Sequence, residues 1–310
     1  MRRLSLKPQM NTDKRRSASF RVHRRLITVF LFAIVIAIPV RADLSQKQAR
    51  KVIQTMGGWS LPSDSVHIRS VSGGAESVEV SAEIEAVFRL RLFEEHWQLR
   101  EIRTGPDRWE QLAVIAQAAN TELPADECET VVQLSTKLTT KRARCLVAAL
   151  FGVSLPSDDV RIKEVSPFGL SIGKESAALV TALVHADFRL TRDAGAWRVT
   201  GFKSGTRDWA NISDLPVAID QVKRSTASDD LSIIAKALGD YRRDRGYFVV
   251  ADKEAVLIDH LSPKYLARVI RVDPWYRPYQ YEGQPDHYSL RSLGPDGKPN
   301  TPDDVVVSGP

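Results

Sequence analysis

The chain has 310 residues, 43% hydrophobic and 26% charged, with a formal net charge of +6. Such a composition belongs to a globular protein with material for two or three domains and excludes a wholly disordered or fibrous chain. The positive charge is local: residues 1–42 hold ten Lys/Arg and one acid, so 34 Lys+Arg remain against 37 Asp+Glu, a net of −3. Nucleic acid is therefore not an expected partner.

Residues 26–40 (LITVFLFAIVIAIPV) are fifteen apolar residues behind a basic stretch. A spanning helix wants about 20 residues and a signal-peptide core about 7–15. Val40-Arg41-Ala42 offers small residues at the −3 and −1 positions of a cleavage site, and Pro39 breaks a helix just before it. The reading is a basic leader, 1–42, that acts as a cleaved signal or an uncleaved membrane anchor. Either way the body lies on the periplasmic side of a cell envelope, secreted or anchored by 26–40.

Residues 44–118 and 138–220 are read as two copies of one unit. Ser60-Leu61-Pro62-Ser63-Asp64 matches Ser154-Leu155-Pro156-Ser157-Asp158 at an offset of 94. After Ser72 and Ser166 the offset becomes 100, so that Phe88-Arg89-Leu90 matches Phe188-Arg189-Leu190, Trp97 matches Trp197 and Trp109 matches Trp209. Each copy opens with an amphipathic helix (46–56 and 141–151) ended by glycine. Period-two segments follow at 66–71, 78–92 and 97–102, and again at 160–165, 177–191 and 197–202, which argues antiparallel strands with one buried face. The first copy closes in a helix over 109–119. The expected fold class is α+β: two tandem repeats, each a helix on a curved three-stranded antiparallel sheet, cystatin-like or nuclear-transport-factor-2-like (NTF2-like) by pattern. The domain reading is repeat 1 at 43–120, a connecting segment at 121–137, repeat 2 at 138–220, a linker at 221–228 and a last domain at 229–310.

No Ser-His-Asp, Cys-His or HExxH arrangement recurs between the copies, and no glycine-rich phosphate loop is present, so catalysis is not expected. The paired tryptophans read as core anchors. Cys128 and Cys145 suit either one disulfide in an oxidising compartment or two separately buried thiols. Beyond a short polar stretch around 220–228, Ser228 is a candidate N-cap. Leu231, Ile234, Ala235, Leu238 and Tyr241 then form one buried helical stripe, ended at Gly246.

The last quarter carries the most specific pattern. Asp273-Pro274-Trp275-Tyr276-Arg277-Pro278-Tyr279 is turn-rich, because its prolines forbid helix. It leads to an acidic loop at 294–304 holding Asp296, Asp303 and Asp304, and oxygen-only donors in a tight turn are what Ca²⁺ prefers. DPW-x-x-PYxY followed by YSLRSLGPDGKPNTPDD, together with the helix end at 230–247, resembles the C-terminal domain of the type II secretion major pseudopilin (protein G) family over roughly 226–307. The resemblance implies a calcium loop formed by the carbonyls of Leu293 and Thr301 with the side chains of Asp296, Asp303 and Asp304. It further implies partners among secretion or pilus-machinery proteins. One departure stands out: the apolar segment lies far from this domain and lacks the Gly/Phe-Thr-Leu-Ile-Glu prepilin-peptidase motif. The expected function is a non-catalytic envelope protein with a calcium-stabilised pseudopilin-like domain. The alternative is a periplasmic ligand- or protein-binding module that uses this domain as a structural cap.

Overall fold

The structure is a computed structural model that describes residues 44–124, 128, 137–168 and 176–310. The leader at 1–42, with its apolar segment at 26–40, and most of the connecting segment at 121–137 lie outside the described residues. Among the described residues no helix is long and apolar enough to cross a membrane.

Two sets of elements follow one another in the same order. The first is α1 (Gln46–Gln54), β1 (Val66–Gly73), β2 (Ser77–Phe93), β3 (His96–Arg103), β4 (Trp109–Gln111) and α2 (Leu112–Ala118). The second is α3 (Thr140–Phe151), β5 (Val160–Phe168), β6 (Ala177–Asp193), β7 (Ala196–Lys203) and β8 (Ala210–Asn211). Local chemistry sets the helix ends. Ser45 and Gln48 form a reciprocal capping box on α1, Thr139 caps α3 through the Arg142 amide, and Gly152 ends α3 in the left-handed region. Residues 109–111, expected as helix, are strand: Trp109 pairs with Arg103, and helix begins only at Leu112.

The strands do not form two separate three-stranded sheets. They join in one eight-stranded antiparallel sheet through the long central strands, in the order β4-β3-β2-β6-β7-β8. One edge of β2 pairs with β6 from Ser77 to Arg91, while the other is shared by β1, from Val78 to Ile84, and by β3, from Phe88 to Phe93. Strand β6 divides an edge between β5 and β7 in the same way. Bulges interrupt both sets at matching places, Ile68/Ser70 with Ile162/Glu164 and Arg89/Leu90 with Arg189/Leu190. These bends curl the sheet. The central pairing is self-complementary: Ile84 lies opposite Val184, its own counterpart, and Val80–Phe188 mirrors Phe88–Val180.

Alternation buries one face of each long strand, and the helices cover that face in two cores. One holds Phe88, Leu90 and Trp97 from the first set with Leu146, Val147, Val180 and Val184 from the second. The other joins Ile53, Val66 and Val80 to Phe188, Leu190 and Trp197. Both sets therefore contribute to both cores.

A third unit begins with α4 (Leu215–Arg245) and continues through α5 (Glu254–Leu261), β9 (Gln280–Gly283), β10 (Tyr288–Ser292) and β11 (Val305–Gly309). The stretch expected as a linker at 221–228 is helix, part of one 31-residue α4. No proline interrupts residues 217–245. The hydroxyls of Thr226 and Ser232 bond carbonyls one turn back, so these polar residues need not break the helix. The buried stripe starts well before the expected N-cap, with Ile219, Lys223 and Ala227. The lower half of α4 packs α5 and the three-stranded sheet around Leu231, Ile234, Leu238, Leu257, Tyr281 and Leu290.

Candidate functional site

The site is built from two turns that grip each other. Asp273 is 2% exposed; its Oδ1 accepts from the amides of Trp275 (3.0 Å) and Arg277 (2.9 Å), and its Oδ2 from the Ser292 hydroxyl (2.7 Å). One carboxylate thus organises the turn and fixes it to β10. Arg277 reaches the acidic loop, donating to the carbonyls of Gly294 and Pro295 (3.0 Å to the latter). Gly294 sits at φ +59°, and a Cβ there would lie 2.3 Å from the Asp303 carbonyl oxygen, so this close turn requires glycine.

The five residues expected at the calcium loop are brought together by this frame. The Thr301 hydroxyl oxygen lies 2.6 Å from Asp303 Oδ1, 3.4 Å from Asp296 Oδ1 and 3.5 Å from Asp304 Oδ1. The Leu293 carbonyl accepts from the Gly297 amide (3.2 Å), and the Thr301 carbonyl from the Asp304 amide (3.1 Å). Other donors balance the acids: the Asp296 amide to Asp303 (3.1 Å), the Lys298 amide to Asp296 (2.7 Å) and the Asn300 amide to Asp304 (2.8 Å). Arg291 stands 3.5 Å from Asp304. The Thr301 hydroxyl, and after it the Asp296 amide, hold the Asp303 carboxyl below its ordinary range. The donor set is oxygen throughout and fits a hard cation in kind. Among the described residues no three Asp, Glu, His or Cys side chains are grouped as metal ligands, so an ion would need carbonyl and hydroxyl oxygens as well.

The same turn carries a polar seam, missed in the sequence, that joins the last unit to the sheet. Tyr276, held at φ +65°, donates to Glu101 (2.6 Å), which also pairs with Arg89. Burial first, and Glu101 second, push the Tyr276 hydroxyl pKa well above its ordinary value. The Arg89 guanidinium lies 4.1 Å from the Trp109 ring centroid. Lys223 on α4 pairs with Glu110 at 2.6 Å, the side chains 5% and 6% exposed, and Trp275 Nε1 donates to Asp220 (3.3 Å). Sequence marked Trp275 and Tyr276 as turn residues, but their partners lie more than fifty positions away. In the second set Arg189 likewise stacks on Trp209, at 4.4 Å, but Gly201 replaces Glu101 and a Cβ there would crowd the Trp209 ring.

Two further groups of residues can be placed. Cys128 and Cys145 form a disulfide, with Cα atoms 5.8 Å apart. On the open sheet face, His185 Nε2 lies 3.2 Å from Ser81 Oγ and 3.7 Å from Asp187 Oδ1. Both contacts use the same ring nitrogen, whereas a nucleophile–base–acid relay needs the acid on the opposite one.

The C-terminal third is an α+β unit carried on one long helix, with its turn and acidic loop at one end. Residues 216–308 match the family model described as Type II secretion system (T2SS), protein G, and this third of the chain is a pseudopilin-like domain. The match starts at the top of α4, ten residues before the resemblance read from sequence. Neither a search of curated proteins nor one of solved structures gives a significant match.

Proposed function

We propose that the protein is a non-catalytic component of the cell envelope in which a curled sheet made of two copies of one α+β unit carries a calcium-stabilised pseudopilin-like domain for type II secretion or related pilus-like machinery. The observation that carries the reading is the family match over 216–308, which covers the helix, the Asp273 turn and the acidic loop together. Matching bulges and the self-complementary β2–β6 register support the duplication. The oxygen-only loop framed by Asp273, Arg277 and Gly294 supports calcium; when bound, the ion would neutralise Asp296, Asp303 and Asp304. The seam through Lys223, Glu101 and Tyr276 supports a domain held against the sheet instead of trailing from it.

Affinity purification of the full chain from envelope extracts should recover secretion-machinery components; recovery of none would overturn the association. Calcium is tested separately on the full chain. A ligand at a thousand times its Kd stabilises by about 4 kcal/mol, so chelation should lower Tm by several degrees. Asp296→Ala should lower Tm and remove the response to calcium. Equal melting in calcium and chelator would refute the ion while leaving the association intact.

A further inference from the structure

A cleft of about 260 Å³ lies on the helix-covered side of the sheet, between the end of α1, strand β7 and the start of α4. Its walls are mostly apolar, from Met56, Trp59, Trp197, Leu215 and Pro216, with Thr55 and Ser213 among the polar groups. Among the described residues that line it, Arg198 alone is charged. The corresponding place in the other half of the sheet is sealed. Trp97, the counterpart of Trp197, is 4% exposed, and Leu146, the counterpart of Val52, is 6% exposed, in the core that also holds Leu112 and Leu138. In the open half Val52 and Trp197 stay only partly buried and line the cleft. The same scaffold position is thus closed by the chain's own side chains once and left open once.

Volume and charge define what fits. A cavity of about 150 Å³ holds a benzene ring, so this cleft accommodates a body of about naphthalene size. Arg198 has 68% of its side chain exposed and lies 3.7 Å from Asp193, itself exposed, so its guanidinium can turn to an anionic head. We propose that this cleft binds a small amphiphile, an aromatic or compact apolar body with one anionic group facing Arg198. The cleft is formed by the sheet, the end of α1 and the first turns of α4, and the proposal does not depend on the secretion reading.

Trp59 and Trp197 supply the readout. Titrating the full chain with naphthoate should quench tryptophan emission saturably with one-to-one stoichiometry. Ser213→Trp places a bulky ring at an exposed lining position and should weaken binding at least tenfold. Arg198→Gln should weaken naphthoate severalfold while leaving uncharged naphthalenemethanol unchanged; both variants should keep the parent circular-dichroism spectrum. Absence of saturable quenching up to millimolar naphthoate would overturn the site. Should Ser213→Trp not fold, Arg198→Gln decides alone: unchanged naphthoate affinity would overturn the assignment.

Discussion

The sheet and the pseudopilin-like domain are held together by different physics. In the sheet, two apolar cores are each assembled from both sets of elements, so stability is spread over many alternating valines, alanines and phenylalanines. The smaller domain has one apolar core, around Leu238 and Leu290, and relies in addition on single polar groups that each organise a turn: Asp273, Arg277 and Thr301. The first arrangement tolerates change at any one surface position but cannot be divided. The second is local, and a single carboxylate can undo it. Between them runs the seam of Lys223, Glu110, Tyr276 and Glu101, where the chain commits charge to a buried contact.

The sharpest way to break this comparison is to cut the sheet. Residues 43–120 and 138–220 expressed apart should each lack cooperative unfolding, because α3 packs on strands of the other set and Ile53 shares its core with Phe188 and Leu190. Within the intact chain, Phe88→Ala and Phe188→Ala, both fully buried, should each cost about 3–5 kcal/mol, read by denaturant unfolding. A folded, cooperative 43–120 fragment would show that the two cores are separable after all.

The seam gives a comparable but more conditional effect. Breaking a buried pair leaves an uncompensated charge, so Lys223→Met should cost about 3–5 kcal/mol. Replacing both partners, Lys223→Met with Glu110→Leu, should recover most of that loss, since the remaining contact is apolar. The double variant should still loosen the registry between α4 and β4, seen as faster amide exchange in residues 215–228 with the sheet amides unchanged. If the double variant is as unstable as the single, the pair contributes more than registry.

Legibility in the sequence followed the range of the interactions. Period-two alternation located the six longer strands of the sheet to within a few residues, because burial of one face is written locally in each strand. The acidic loop was legible for the same reason: its acids, glycines and proline are neighbours, and all five expected residues fall in one loop. What could not be read was the pairing of β2 with β6, since the alternation that specifies a buried face does not name the neighbouring strand. The sequence cuts helix α4 short because Ser225, Thr226 and Ser228 look like a linker; the bond of the Thr226 hydroxyl back to the Val222 carbonyl, and the continued stripe of Ile219, Lys223 and Ala227, fit the segment to a helix. Glu110 and Lys223 carry no local sign of each other across 113 positions.

The smallest expected effect separates local polar organisation from charge in general. Asp303 is held below its ordinary carboxylate range first by the Thr301 hydroxyl and then by the Asp296 amide. A carboxyl with a depressed folded pKa contributes stability that is present above the unfolded value, about 4, and is lost as pH falls through the folded value. Thr301→Val keeps the shape and removes the donor, so the Asp303 pKa should rise toward 4 and the domain should begin to lose stability at a higher pH than the parent. Carboxyl-carbon NMR titration of the full chain in chelator reads the shift without calcium. The Phe88→Ala variant, which leaves the loop untouched, should show the parent Asp303 titration despite its much larger loss of stability. An Asp303 pKa unchanged by Thr301→Val would mean that the loop is organised by its amides alone, and that Thr301 is a bystander at the point where three carboxylates meet.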